Sequence, residues 1–210
     1  MTTENPKTDI TETPAQDPRS AMREVNDPKT LRALTHPVRL ALLEALALEG
    51  PLTATAAGEL IGESPTTCSF HFRQLAKYGF VEEAESGPGR NRPWKIANAG
   101  MRFSDVTEDP ETSVAAKSLE RMVFDRALGR LSGFINAKAS FPKIWQEASQ
   151  NMETILWVTP AELEAVTLEV MSTFNRFHDR ISHASERPDG SLPVEALVFM
   201  YPVRLPGSSL

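Results

Sequence analysis

Between Ser64 and Lys77 the chain runs SPTTCSFHFRQLAK, and at helical period its side chains sort by chemistry. Cys68, Phe72 and Leu75, at spacings of four and three, share an apolar face. Thr66, Thr67, Ser69, Phe70, Arg73, Gln74 and Lys77 share the opposite one. Hydroxyls and an amide pair with base edges, an exposed ring meets a thymine methyl, and cations hold phosphates. Thr66, Thr67, Ser69 and Phe70, near the helix start, are therefore the expected base-edge contacts. Arg73, Gln74 and Lys77, deeper along it, are the expected phosphate contacts. Ser64 opens the helix as an N-cap ahead of Pro65 and joins the set. His71 has two readings, a phosphate contact or a donor within the domain. Past Gly79, the strands Phe80-Val81 and Trp94-Lys95-Ile96 flank EEAESGPGRNRP, a Gly/Pro loop with Arg90 and Arg92 near its tip. These arginines are expected on the nucleic-acid backbone or in the minor groove.

A helix can read bases only if other elements present it. Asp27-Pro28 caps a short helix with Leu31 and Leu34 on its apolar face, and Thr35-His36-Pro37 restarts the chain as a second helix. That second helix carries Val38, Leu42, Leu43, Leu46 and Leu48 and ends at Gly50-Pro51. Thr53 then leads into a short Ala-rich helix that closes on Gly62. Helix, helix, short helix, polar-faced helix and hairpin is the order of a winged helix-turn-helix, which offers its last helix to the major groove.

The motifs LRALTHPVRLALLEAL, LTATAAGELIG, SPTTCSFHFRQLAKYGFVEE and GRNRPWKI, in this order, resemble the ArsR/SmtB-type bacterial repressors over about residues 27–98. The resemblance implies a homodimeric DNA-binding repressor whose operator affinity is set by an effector, dimerised by the helix that follows the wing. Two departures separate the chain from the metal-sensing members. The helix before the recognition helix, TATAAGELI, has no Cys-x-Cys pair, and residues 110–140 contain no histidine. No metal site and no cofactor are expected, and the effector is expected to be a non-metal organic molecule.

Asp109-Pro110 caps the helix after the wing, on which Phe124, Leu128, Leu131 and Ile135 recur at 4, 3 and 4, flanked by Leu119 and Val123. This is more apolar surface than a lone helix carries, and these six are the expected dimer interface. Further on, METILWV reads as a strand, Thr159-Pro160-Ala161-Glu162 as a capping box opening an amphipathic helix, and VEALVFMYPV as a second strand. The pattern is similar to the C-terminal extension of some longer actinobacterial-type members. Trp145, Trp157, Phe174, Phe177 and Tyr201 either line an effector pocket there or build its core. His178 and His183 stand five apart, off a shared helical face, so a solvated face is favoured over a metal site.

Charge and composition agree with this reading. The 210 residues carry a formal net charge of −6, divided as −3 over residues 1–27, +1 over 28–100 and −4 over 101–210. The middle third is the only segment that is not acidic, as a local phosphate-binding surface on an acidic body requires. No apolar run approaches the roughly 20 residues of a membrane span. The first 30 residues lack a signal peptide's basic start and apolar stretch, and a single cysteine fits a reducing cytosol, so a cytoplasmic location is expected. Cys68, beside Phe72, reads as a buried small hydrophobe rather than a redox sensor. Without a phosphate-cradling glycine loop, GxSxG, HExxH or CxxC, the chain is not expected to be an enzyme.

The expected fold is mainly α with small β. It comprises a disordered tail at 1–26, the winged helix-turn-helix at 27–98, a linker and dimerisation helix at 99–140, and a strand-helix-strand segment at 141–210 for an effector or the dimer. The expected function is a sequence-specific transcriptional regulator that binds an imperfect palindrome as a homodimer, without a membrane partner. A winged-helix protein-interaction or architectural module without an effector is the alternative.

Overall fold

A computed structural model describes residues 17–84, 92–98 and 100–204. The fold is mainly helical with two small sheets. After a 3-10 turn at Pro18–Ala21 come β1 (Arg23–Glu24), α1 (Pro28–Leu34), α2 (Pro37–Glu49), α3 (Ala54–Ile61) and α4 (Pro65–Lys77). The wing strands β2 (Val81–Glu83) and β3 (Trp94–Ile96) follow, then β4 (Met101–Arg102) and the long α5 (Pro110–Ala137). The remainder holds α6 (Lys143–Ala148), α7 (Pro160–Asn175) and α8 (Asp179–Ser182). Among the described residues no helix is long and apolar enough to cross a membrane.

The helix starts follow local sequence closely. Asp27, Thr53, Ser64, Asp109 and Thr159 each accept a backbone N–H of the first turn, and proline follows all of them except Thr53. Thr159 and Glu162 form the reciprocal capping box. His36 caps α2 through Nδ1, which accepts from the Val38 N–H at 3.2 Å.

One core lies beneath α1 to α4. Leu31 and Leu34 of α1, Leu42 and Leu46 of α2, Ala57 of α3, and Cys68, Phe72 and Leu75 of α4 are buried together. Ala115, Ala116 and Leu119 of α5 close it from the far side. Leu119 is therefore a core residue of its own protomer rather than part of a subunit interface, because the first half of α5 is spent covering α1. Val123, Phe124, Leu128 and Ile135 remain exposed, and Leu131 is half-buried.

Order also begins earlier than the sequence suggests. Residues 1–16 lie outside the described residues, but β1 pairs in parallel with β4, in register Arg23 to Met101 and Glu24 to Arg102. Val25 is buried in the core, and the Arg23 guanidinium lies over the Phe80 ring at 4.9 Å while donating to the Tyr78 carbonyl. Thr- and Pro-rich composition marks a tail only as far as no neighbour supplies a strand partner and a ring for the arginine.

The C-terminal part differs as well. The capping-box helix forms as α7, but neither flanking strand does. Residues 152–158 and 194–203 run without helix or strand assignment, and each lacks the hydrogen-bonded neighbour that a ladder requires. Contacts to the first half are mostly polar. Glu44 of α2 accepts from Arg126 and Arg130 of α5, and Arg130 also pairs with Glu195 at 2.5 Å. Burial alone would raise the Glu44 carboxyl, but hydrogen bonds from the two guanidiniums outweigh it and hold it below the ordinary range. Arg187 closes the end of α2, donating to the carbonyls of Leu48 and Glu49 at 3.4 Å each.

The turn between α3 and α4 is set by close backbone approach. Gly62 is left-handed at φ 74°, and the N–H groups of Gly62 and Glu63 both donate to the Gly58 carbonyl, at 2.9 and 3.0 Å. A Cβ on Gly58 would stand 2.5 Å from the Glu63 carbonyl oxygen, a backbone atom that cannot rotate away. Gly58→Ala should therefore destabilise the fold by about 1–3 kcal/mol, measured by urea unfolding, although alanine is the better helix former. A neutral or stabilising result would show that the turn relaxes freely.

Candidate nucleic-acid interface

Helix α4 is built with one sealed side and one open side. Cys68, Phe72 and Leu75 are fully buried, and burial pushes the Cys68 thiol above its ordinary pKa, as suits a packing residue. Phe72 stacks on Trp94 of β3 at 5.6 Å, which fixes the wing against the helix. Trp94 also exchanges two backbone hydrogen bonds with Leu52, at 2.7 and 3.0 Å, so the wing is tied to the segment leading into α3. These contacts set helix, turn and wing in one rigid arrangement.

The open side carries the expected residues, with one exception. Ser64 is exposed, and its Oγ accepts from the Thr67 N–H at 3.0 Å and lies 2.8 Å from Thr67 Oγ1. Thr66, Phe70, Arg73 and Lys77 are exposed, and Thr67, Ser69 and Gln74 half-buried. Phe70 keeps 53% of its surface in solvent, its ring edge-on to that of His71 at 5.1 Å. Arg73 donates to Ser69 Oγ at 2.8 Å, and Lys77 lies over the Tyr78 ring at 5.9 Å. Among the described residues neither cation has a carboxylate partner, so both can meet an anion without first breaking an ion pair.

The wing is more compensated. Arg92 pairs with Glu83 at 3.1 Å and Lys95 with Glu82 at 3.1 Å, each across the β2–β3 hairpin. Arg90 lies outside the described residues. Exposed pairs of this kind are worth little, so phosphate oxygens can compete for Arg92 at small cost.

His71 does not belong to the open side. It is only 7% exposed, with its ring 4.5 Å from that of His36 and its Nδ1 buried without a hydrogen-bond partner. Burial, then the neighbouring His36 and Arg39, depress its pKa, against a smaller opposite effect of Glu63. The Nε of Arg39 is likewise buried and unpartnered. Of the two readings open for His71, burial favours a place within the domain: it stands three residues after Cys68 and four before Leu75, on the sealed side of α4. The pairing with His36, across the α1–α2 turn, has no local signal.

The other expected sites fare unevenly. Of the five aromatics expected to line an effector pocket or build a core, Trp157, Phe174, Phe177 and Tyr201 are exposed and Trp145 is half-buried. A shallow, open depression lies between the N-terminal 3-10 turn and α7, lined by Arg19, Pro160, Leu163, Glu164, Thr167 and Leu168. Arg19 and Glu164 pair across it at 2.9 Å.

Because the fold lowers the pKa of His71, the unfolded chain takes up the proton first. His71 then contributes stability above the ordinary imidazole value of 6.5 and loses it as the pH falls below that value. Urea midpoints at pH 7.5 and 5.5 should show the native chain weaker in acid, and His71→Phe should lessen that loss. His178, also depressed by burial, retains its own share. Parallel pH dependence in the two proteins would remove His71 from the account.

A family profile described as a helix-turn-helix domain matches residues 34–84. Among solved structures, the chain is similar to a solution NMR structure of the homodimeric winged helix-turn-helix DNA-binding domain of a possible ArsR-family transcriptional regulator from Mycobacterium bovis. The two are 27% identical, the match covers 46% of this chain and 76% of that one, and the TM-score is 0.32. No curated protein matches. Residues 34–84 are thus a helix-turn-helix domain, and the β2–β3 hairpin that follows α4 gives it a wing.

Proposed function

We propose that the chain is a homodimeric, sequence-specific transcriptional repressor that sets two copies of α4 in successive major grooves of an imperfect palindrome. The observation that carries this reading is the one-sided burial of α4. Its apolar side is locked into the core, and its solvent side holds hydroxyls, an amide, an exposed ring and two cations without carboxylate partners. Thr66, Thr67, Ser69 and Phe70 read base edges, while Arg73, Gln74, Lys77 and Arg92 hold the backbone. Support for the dimer comes from Val123, Phe124, Leu128 and Ile135, an exposed apolar stripe on a long helix. The two recognition helices then stand about 34–36 Å apart, one helical turn of DNA.

Regulation by a non-metal organic effector is part of the same proposal. Its motivation is the absence from the sequence of the Cys-x-Cys pair and dimer-helix histidines of the metal-sensing members. An effector changes DNA affinity only if it binds one dimer geometry better than the other.

Fluorescence anisotropy with DNA from upstream of the chain's own gene, against a scrambled fragment at two salt concentrations, tests the reading. A preference of roughly a thousandfold or more is expected for the native fragment. Lys77→Ala should weaken binding to both fragments alike and reduce the salt slope by about one. Thr66→Ala should erode the preference itself, by about 1–3 kcal/mol if its contact is a good one. Absence of binding to either fragment at low salt would overturn the function.

A further inference from the structure

From residue 128 to residue 204 no described side chain is buried, although the stretch is rich in large apolar groups. Trp157 keeps 93% of its surface in solvent, and Met152, Ile155, Val194, Phe199 and Tyr201 are each more than half exposed. A segment that buries so little apolar surface cannot offset the entropy of holding one shape in water. Its core has to come from outside the protomer.

Two pieces of this region lie extended. Residues 152–158 and 194–203 have strand composition, yet no backbone hydrogen bond joins either to any other described segment. A row of unpaired amides and carbonyls on an apolar strand is a template for another strand. The second piece is already seated. Its Glu195 holds Arg130 of α5, and its Phe199 ring meets Phe124 edge-on at 5.3 Å. It therefore lies along the same exposed stripe of α5 that the dimer reading uses.

We propose that the missing partner is a second copy of this chain, with 152–158 of each protomer pairing backbone to backbone with 194–203 of the other. The inference rests on the dimeric reading above and adds strand exchange to it. A second copy is favoured over a foreign protein because one chain carries both halves of the pairing. A two-fold axis satisfies all four strands at once, with no edge left requiring a further partner. The strands then continue the α5 contact into a single interface, in the manner of obligate dimers whose joint core resembles a domain cut in half. The C-terminal half is a folded unit only as a pair.

Sedimentation of the full chain, with hydrogen exchange read by mass spectrometry on the same sample, tests this. A dimer is expected, with amides of 152–158 and 194–203 slowed at least a hundredfold relative to unstructured chain. A dimer whose two segments exchange at the unstructured rate would overturn strand exchange and leave the α5 dimer standing. A monomer would overturn both. Trp157→Asp supplies the second arm, since in a lone protomer this side chain touches little. The variant should shift the monomer–dimer equilibrium at least tenfold towards monomer and free the 194–203 amides. An unchanged equilibrium, or protection that persists in the monomeric variant, would overturn the proposal, the latter by showing that the strands pair within their own chain.

Discussion

Everything the first half of the chain can do depends on α4 being clamped from one side only. Phe72 is the pivot: fully buried, it packs into the shared core and stacks on Trp94, so one ring fixes the helix against both the body and the wing. Truncating such a ring removes about 3–5 kcal/mol, a large part of a small domain's margin. Because the clamp is apolar and the opposite side makes few protein contacts, the polar side chains stay available to a ligand at no cost in fold stability. Gly58 and Gly62 add the second condition, a turn tight enough to bring α3 against the start of α4.

The helices were legible in the sequence because their determinants are local. Asp27-Pro28, Ser64-Pro65, Asp109-Pro110 and Thr159-Pro160 each announce a helix start with an N-cap and a proline, and every one of these helices forms. The face assignment of α4 held for the same reason, since a period of 3.6 sorts Cys68, Phe72 and Leu75 from Thr66, Arg73 and Lys77. His71, open in the sequence between a phosphate contact and a place within the domain, falls by the same period beside Cys68 and Leu75 and is buried against His36.

Features that depend on distant partners were not legible. Leu119 flanks the stripe of α5 in the sequence, but which part of the helix meets α1 and which part stays open depends on how the helix docks. The Glu44–Arg126 and Glu44–Arg130 pairs join residues more than eighty positions apart, and no local pattern marks them. Residues 152–158 and 194–203 have the apolar, β-branched composition of strands, but composition does not supply a neighbour. Strand propensity measures fit to a pleated, half-buried surface, and a single protomer offers these segments none.

The closing of the core by Ala115, Ala116 and Leu119 has a consequence for biosynthesis. The winged helix-turn-helix ends at β3, but the hydrophobic centre that holds it is incomplete until the first half of α5 arrives. A nascent chain that has released α1 through β3 from the ribosome therefore still exposes the far side of Leu31 and Leu34. Domains generally fold as units during synthesis, and here the unit spans Val25 to Leu119 rather than the boundaries of the helix-turn-helix motif. A ribosomal pause just after the wing would hold the chain in its stickiest form, whereas a pause a few turns into α5 would let the domain fold before the rest is made.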